Sequence, residues 1–156
     1  MTETFKQILV ATDFSTCSAG ALRFALRLGA SLGASVDVVH VWDYKAVYSR
    51  AMASSGPPER EVVRMQESAI QRLKTFCEGL DVRRQLIYSG EAAAEVGEAA
   101  QNYDFLVVGT HGRQGVSRLF LGSVAEQIVR TAPCPVLTVR AVDPSRHTRP
   151  SEPATS

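Results

Sequence analysis

The chain alternates between short apolar runs and longer segments with helical periodicity, and this alternation restricts the fold more than any other feature. The apolar runs are nearly continuous and rich in β-branched residues, as in strands buried on both faces of a parallel sheet. They predict five strands, at residues 7–12, 36–41, 82–88, 105–108 and 136–139. Strands joined by helical crossovers form a parallel sheet with helices on both faces, so we expect a three-layer α/β domain.

Four segments between these strands carry apolar residues at helical spacing. The predicted helices run from the polar residues after position 13 to Gly33, from Glu59 or Glu61 to Gly79, and over residues 92–101 and 123–131. Residues 42–60 are small and polar, and they include a Ser-Ser-Gly-Pro-Pro series. We expect a long, mobile connection there, crossing the edge of the sheet.

Length and composition set the domain count. A chain of 156 residues with 45% apolar residues is typical of one globular domain. We assign this domain to residues 1–140. Residues 141–156 are polar and contain three prolines, and we expect them to be a disordered tail.

Charge, apolar run lengths and cysteine usage disfavour several classes of protein. Lys plus Arg total 17 and Asp plus Glu total 16, a balance that does not favour binding to a nucleic-acid backbone. No apolar run is long enough for a transmembrane helix, and the N-terminal residues do not resemble a secretory signal. The cysteines Cys17, Cys77 and Cys134 are too few and too scattered for a disulfide framework. We therefore expect a cytoplasmic protein without a membrane or nucleic-acid partner.

The first and fourth runs are the most apolar and predict the centre of the sheet, in the strand order 3-2-1-4-5. Ligands bind such sheets outside the carboxyl ends of the strands, where the winding reverses. The loops that leave these two strands begin with Asp13-Phe14-Ser15 and with Gly109-Thr110-His111-Gly112. We expect the two loops to be neighbours at the binding site.

The segment from Gly109 to Ser123 has the composition of a phosphate-binding loop. Glycines let backbone amides approach a ligand closely, and the predicted helix at Ser123 adds free amides and the positive end of its dipole. Arg113 and Arg118 add positive charge. The alternative is a glycine-containing surface loop with two solvated arginines. The segment lacks Gly-Lys-Ser/Thr and G-x-G-x-x-G, so it is neither a P-loop nor a dinucleotide fingerprint.

The residues resemble the universal stress protein family over about residues 5–140. The ATP-binding branch of that family carries Gly, two residues, Gly, nine residues, Gly and then Ser or Thr, a pattern filled here by Gly109, Gly112, Gly122 and Ser123. Further matching segments are Ile8-Leu9-Val10-Ala11-Thr12-Asp13-Phe14-Ser15, Leu121-Gly122-Ser123-Val124-Ala125-Glu126 and Ala132-Pro133-Cys134-Pro135-Val136-Leu137. The fold that the resemblance implies is a five-stranded α/β sandwich, in agreement with the strand order above.

The resemblance also implies a nucleotide pocket. Asp13 is implied to lie near the ribose and adenine, with capping of the first helix as a second role. Val41, or the backbone of residues 40–41, is implied to contact the adenine edge, and Ala11 and Thr12 to line the floor. The glycine loop and the next helix start are implied to hold the ribose and phosphates through Gly109, Thr110, Gly112, Arg113, Gly122, Ser123 and Val124.

The sequence contains no nucleophile–base pair or paired carboxylates that would serve an efficient ATPase. We therefore interpret the chain as an ATP-, ADP- or AMP-binding module of a stress response, with at most slow hydrolysis and with Mg²⁺ held through the phosphates. Two alternatives remain open. One is a genuine ATPase or nucleotide transferase, and the other is a module that binds a protein partner without nucleotide.

Three further expectations follow. Valine at Gly109 or Gly122 should abolish ATP binding, by filling the phosphate space and by excluding a positive φ. Cys134, between two prolines, should be a structural, buried thiol. The last strand, at residues 136–139, is an apolar edge and should pair with the same strand of a second copy in a homodimer, as the resemblance also implies.

Overall fold

The computed structural model describes residues 4–53, 58–110 and 122–140, so the expected tail at 141–156 lies outside the described residues. Within them, five strands form one parallel sheet in the order β3-β2-β1-β4-β5, which confirms the predicted topology. The strands are β1 (Gln7–Ala11), β2 (Ser35–Trp42), β3 (Arg84–Ser89), β4 (Phe105–Gly109) and β5 (Val136–Val139).

Helices cover both faces of this sheet, as predicted. They are α1 (Thr16–Leu32), α2 (Tyr44–Met52), α3 (Pro58–Cys77), α4 (Ala92–Ala99) and α5 (Ser123–Thr131), with a short 3-10 helix (Ala100–Asn102) after α4. Successive side chains of a strand point to opposite faces, so each central strand feeds two core layers. The first layer joins β1, β2 and β4 to α1 and α3, and includes Ile8, Val10, Leu22, Leu73 and Val107. The second joins the same strands to α4 and α5, and includes Leu9, Val39, Val96, Leu106 and Ile128.

The expected long connection over residues 42–60 is wrong in its first half, because α2 occupies residues 44–52. The Asp43 side chain caps this helix by accepting a hydrogen bond from the Ala46 N–H at 2.9 Å. Val47 and Ala51, four residues apart, are buried on its inner face. Val47 packs in a small cluster with Trp42 and Ala69. Two buried apolar positions are too few to give a clear helical periodicity in the sequence. The composition of the adjacent Ser-Ser-Gly-Pro-Pro series therefore led to the prediction of a loop.

β3 begins two residues later than predicted. The Val82 N–H donates to the Leu80 carbonyl at 2.9 Å in a turn, and the Arg83 N–H then reaches the Val36 carbonyl at 2.8 Å. Regular pairing with β2 starts at Arg84, opposite Asp37.

In the part of the chain that the structure describes, no helix combines the length and the apolar character needed to cross a membrane.

Candidate functional site

The carboxyl ends of β1 and β4 lie side by side, since Ala11 is paired with Val108 in the parallel register. β1 continues into a turn at residues 12–15 that leads to α1, and β4 continues into Thr110. The two loops predicted to be neighbours therefore leave adjacent strands. This is the position where the winding of the sheet reverses and where such sheets bind ligands.

The turn after β1 is held by side-chain oxygens. Thr12 is buried, and its Oγ1 accepts the Phe14 N–H at 3.0 Å and lies 2.9 Å from the Ser18 Oγ. The Asp13 Oδ1 accepts the Ser15 N–H at 3.0 Å. Each oxygen thus bonds the amide two residues further on, the geometry of Asx and related turns.

The cap of α1 is Ser15, not Asp13 as the second role of Asp13 would require. Ser15 is the N-cap residue, and its side chain accepts the Ser18 N–H at 3.1 Å. The Asp13 carboxylate instead shapes the turn before the helix. Its pKa is shifted upward by burial, but hydrogen bonds involving Ser15 and Ser18 outweigh burial and leave the pKa below its usual value. Asp13 is therefore ionised at neutral pH.

Phe14 has a left-handed backbone, with a φ of 64°. An aromatic residue rarely adopts this conformation, because its Cβ approaches the backbone closely. The Phe14 ring centroid lies 4.2 Å from that of His40 and 5.6 Å from that of Phe76 on α3. The Arg72 guanidinium carbon, also on α3, lies 4.3 Å from the ring centroid. Sequence reasoning did not find this cluster, since its members are far apart along the chain.

The end of β2 holds the same turn through two contacts with the Thr12 backbone. The Thr12 N–H donates to the Val39 carbonyl at 2.9 Å, and the His40 Nδ1 lies 2.8 Å from the Thr12 carbonyl oxygen. Val41 and Ala11 are partly buried and pack against the second core layer. Because their side chains pack against the core, these two residues would contact a ligand through their backbone.

Gly109 ends β4 in close contact with α1. A Cβ added there would lie 3.0 Å from the Cys17 Sγ and 3.1 Å from the Ser18 backbone nitrogen. Gly109 is not among the glycines with positive φ, so the expected exclusion of valine by backbone conformation does not hold there. The structural reason for glycine at this position is helix–strand packing.

Thr110 joins three parts of the site. It is buried, and its N–H donates to the Val139 carbonyl of β5 at 3.0 Å. Its own carbonyl accepts the Gly122 N–H at 2.8 Å. The two ends of the glycine segment are therefore fastened together beside β5. Gly112 and Arg113, predicted to belong to the site, lie outside the described residues.

α5 begins at this fastening. Gly122 is its N-cap residue, with φ −60° and ψ 150°, and no side chain from the described residues caps the helix. The backbone of Gly122 is thus open to any residue, and the positive-φ argument for valine is wrong here as well. Ser123 and Val124, in the first turn, are exposed. The first amides of a helix lack intrahelical partners and attract anions.

Residues 4–140 match the family model described as the universal stress protein family. The chain belongs to this family. Universal stress protein A homolog 1 of Coxiella burnetii is 35% identical over 139 residues, which cover 86% of this chain and 96% of that protein. The assignment places this universal stress protein among stress-response proteins.

Solved structures agree with the fold. The structure of the hypothetical protein MJ0577 is similar to this universal stress protein with a TM-score of 0.72 at 22% identity, covering 88% of this chain and 97% of that one. A universal stress protein solved in complex with cAMP is similar with a TM-score of 0.56 at 22% identity, covering 90% and 100% of the two chains.

Proposed function

We propose that this protein binds an adenine nucleotide, ATP or else ADP or AMP, and acts as a regulatory or signalling module of a stress response. The observation that carries the proposal is the junction of three elements at the carboxyl edge of the sheet. There the Gly122 N–H bonds the Thr110 carbonyl and places the uncapped start of α5 beside the end of β4. A helix start with free amides, at the same edge of the sheet as the ionised Asp13, suits a ligand with phosphates at one end and hydroxyls at the other.

The phosphate end of the ligand is assigned to α5. The first-turn amides and the positive end of the helix dipole stabilise negative charge there, and the exposed Ser123 adds a hydroxyl. We therefore propose that Gly122, Ser123 and Val124 hold phosphates. Gly112 and Arg113 are proposed as further phosphate ligands on the basis of the glycine spacing in the sequence.

The nucleoside end is assigned to the turn after β1. The Asp13 carboxylate, which is ionised and accepts the Ser15 N–H at 3.0 Å, also accepts hydrogen bonds from ribose hydroxyls in this proposal. The backbone of Ala11 and Thr12 forms the floor, and that of Val41 contacts the adenine edge. Gly109 and Thr110 border the ribose. The relative solved with cAMP supports an adenine nucleotide as the ligand class.

The chemistry at this site favours binding over turnover. In the described ranges, no three His, Cys, Asp or Glu side chains are grouped to hold a metal ion. Mg²⁺ would accordingly be held through the phosphate oxygens, as it commonly is in nucleotide sites. The Asp13 carboxylate accepts the Ser15 N–H and is assigned to the ribose, so it is not placed to orient a water at the γ-phosphate. We propose slow hydrolysis at most.

The test is a pair of substitutions at Gly122, whose φ of −60° and ψ of 150° are compatible with L-residues. Serine or aspartate there would cap α5 from within the chain and occupy the amides proposed for phosphate. We expect Gly122→Asp to lower ATP affinity by about tenfold or more, as a charge-assisted hydrogen-bonding group competes with the ligand, and Gly122→Ser to lower it less. Both variants should unfold at the wild-type denaturant concentration or slightly above it. Calorimetric titration with ATP measures the affinities.

Measurements on the purified wild-type protein distinguish between the alternative functions. Mass spectrometry of ligand released from purified protein would identify the natural nucleotide. ATP turnover of roughly 1–100 per second would show a genuine enzyme. No released nucleotide, together with no calorimetric signal for ATP, ADP or AMP, would contradict the proposal and favour a nucleotide-independent partner module.

We further propose a homodimer formed through β5 and a cytoplasmic location. β5 is an edge strand of the described sheet, and its Leu137 side chain is 38% exposed. Apolar edges invite pairing with another chain. The three cysteines are all free thiols, which suits a reducing compartment.

A further inference from the structure

The turn that carries Asp13 depends on the unusual backbone of Phe14. Two hydrogen bonds define this turn: the Phe14 N–H to the Thr12 Oγ1, and the Ser15 N–H to the Asp13 Oδ1. Both amides belong to peptide units adjoining the Phe14 Cα. A change of φ at Phe14 from 64° to an ordinary negative value would rotate these units and break the pattern. The hydrogen bond that the Asp13 carboxylate accepts from Ser15 therefore depends on the backbone conformation of Phe14.

The strained conformation of Phe14 persists because its ring is held from several sides. The His40 ring packs at 4.2 Å with an interplanar angle of 38°, and the Phe76 ring meets it edge-on at 5.6 Å. The Arg72 guanidinium lies 4.3 Å from the ring centroid, within the range of a cation–π contact. Strained residues persist where their surroundings over-determine them, and these contacts provide that restraint.

Arg72 differs from the other two contacts in its exposure. His40 is buried and Phe76 is partly buried, whereas Arg72 is exposed on α3. Its guanidinium can leave the Phe14 ring without unpacking the core. A solvent-exposed residue on a helix therefore contacts the aromatic residue of the turn at the carboxyl end of β1.

We infer that Arg72 is a positioning residue for nucleotide binding, which holds the Phe14 ring from α3 and thereby fixes the Asp13 carboxylate toward the ribose. This inference rests on the proposed function and adds a remote residue that sets the affinity of that site. Loss of the Arg72 cation relaxes the turn, so the nucleotide must order it again on binding. The affinity of every ligand that contacts Asp13 then falls by the same factor.

The experiment compares Arg72→Gln, which removes the charge and keeps most of the stem, with Arg72→Lys, which keeps a cation. Arg64→Gln is the matched control, because Arg64 is an exposed arginine of the same helix that forms a 3.9 Å ion pair with Glu61. Amide hydrogen exchange of Ser15 in the nucleotide-free protein reports the turn. Calorimetry gives the dissociation constants of ATP and AMP.

We expect Arg72→Gln to speed Ser15 exchange and to raise the Kd of both nucleotides by about fivefold, as befits one cation–π contact. Arg72→Lys should restore part of the loss, and Arg64→Gln should match wild type in both measurements. The melting temperature should fall by no more than about 2–4 °C in Arg72→Gln, the effect of losing one such contact, and should match wild type in Arg64→Gln, so that the change in Kd is not a general loss of folding.

Each other outcome overturns the inference. Unchanged Ser15 exchange in Arg72→Gln would show that Arg72 does not restrain the turn. An unchanged Kd beside faster exchange would show that the turn does not limit binding. A loss confined to ATP, with AMP unaffected, would indicate simple attraction of Arg72 to the phosphates. A wild-type protein that binds neither nucleotide would overturn the proposed function and this inference together.

Discussion

Asp37 lies near the start of β2 with its side chain fully buried, at the amino half of the sheet and away from the proposed binding site. Arg83 donates to both of its carboxylate oxygens, at 2.9 and 2.7 Å. Arg84 donates to the Oδ2 at 2.9 Å, and the Tyr103 hydroxyl donates to it at 2.6 Å. A buried carboxylate is costly unless it is paired and hydrogen-bonded, and here it is both. The cluster ties β2 to β3 and to the residue that follows the 3-10 helix.

The ionisation of Asp37 should make the fold sensitive to acid. Burial raises its pKa, but the hydrogen bonds from Arg83, Tyr103 and Arg84 outweigh burial and lower the pKa from 3.8 to about 2. The folded state thus favours the charged form, and the resulting stability is complete above about pH 4 and lost as the pH falls toward 2. Its size is about 2 kcal/mol, from the linkage between pKa and stability.

Denaturant unfolding at pH 6 and pH 3 measures the stability that depends on the ionisation of Asp37. We expect the free energy of unfolding of wild type to fall more steeply with acid than that of Asp37→Asn, which should be the less stable protein at pH 6. Asp104→Asn is the comparison, because the Asp104 carboxylate accepts the Lys6 and Gln7 amides and is less deeply buried. An NMR titration of the Asp37 carboxyl carbon with a midpoint near 4 would contradict the argument.

Sequence reasoning did not find the roles of Asp37 and Phe14, and the reason is physical. Asp37 interrupts an apolar run with one polar residue, and its partners lie 46 to 66 residues further along the chain. Phe14 lies among the polar residues Thr12, Asp13 and Ser15, which predict only a turn. Nothing in its side chain favours a positive φ. Such roles depend on contacts that form only when the sheet has brought distant segments together.

At the scale of elements, the packing of α1 on β4 holds the first turn of α1 against the end of β4, at the proposed binding site. Gly109 allows the first turn of α1 to approach the end of β4, where the Cys17 Sγ also lies 3.5 Å from the Val139 carbonyl. The sequence assigned Gly109 to ligand contact alone. Its substitution would therefore disturb the fold, and a loss of ATP binding in a Gly109 variant would not identify the pocket.

Two Gly→Ala substitutions test this packing with opposite expected signs. At Gly109 the new Cβ would meet helix backbone at 3.1 Å, so we expect a loss of about 1–3 kcal/mol of stability from overpacking. At Gly97, inside α4, nothing lies within 4 Å of the new Cβ, so alanine should stabilise the helix by about 0.5–1 kcal/mol. Chemical denaturation measures both, and a stabilised Gly109→Ala would contradict the packing role.

The elements that the sequence predicted well are those with strong, local signals. β1 and β4 are runs of consecutive buried residues, and α1 combines a regular apolar stripe with Gly33 in a left-handed C-cap. α2 was missed because its stability comes from docking Val47 and Ala51 against Trp42 and α3 rather than from its own pattern. The adjacency of the two loops was predicted correctly, since the apolar character of the first and fourth runs placed β1 and β4 side by side at the centre of the sheet.

At the scale of the whole molecule, the two edges of the described sheet differ. β3 carries the charged and polar residues Arg84 and Gln85 at its exposed start, which discourage pairing with another chain. β5 carries no charge; Val136 and Val139 are partly buried, and Leu137 and Thr138 are exposed. The backbone N–H and C=O groups of successive residues in β5 point to opposite sides of the strand. The carbonyls of Pro135 and Val139 point toward β4, where they accept N–H groups. The N–H and C=O groups of Val136 and Thr138 therefore point away from β4, on the side where the proposed dimer would place its partner strand.

This geometry also decides which substitutions test the proposed dimer. Proline at Leu137 would remove an N–H on the β4 side and damage the sheet of the monomer. Lysine at Val139 would place a charge on a side chain that packs against the first core layer. Neither variant separates dimer formation from folding, so the outward position 138 is the better choice.

Thr138→Pro should convert the dimer to a folded monomer. Proline is tolerated at an edge strand where its missing N–H would have faced outward, and here that N–H is one of the groups offered to the partner strand. Thr138→Val, which keeps the N–H at the same exposed position, should remain a dimer. Light scattering at micromolar concentration gives the masses, and circular dichroism checks that both variants are folded. A monomeric wild type, or a Thr138→Pro protein with the wild-type dimer mass, would show that β5 is not the interface, because strand pairing across a two-fold axis requires the outward amide of Thr138 from each copy.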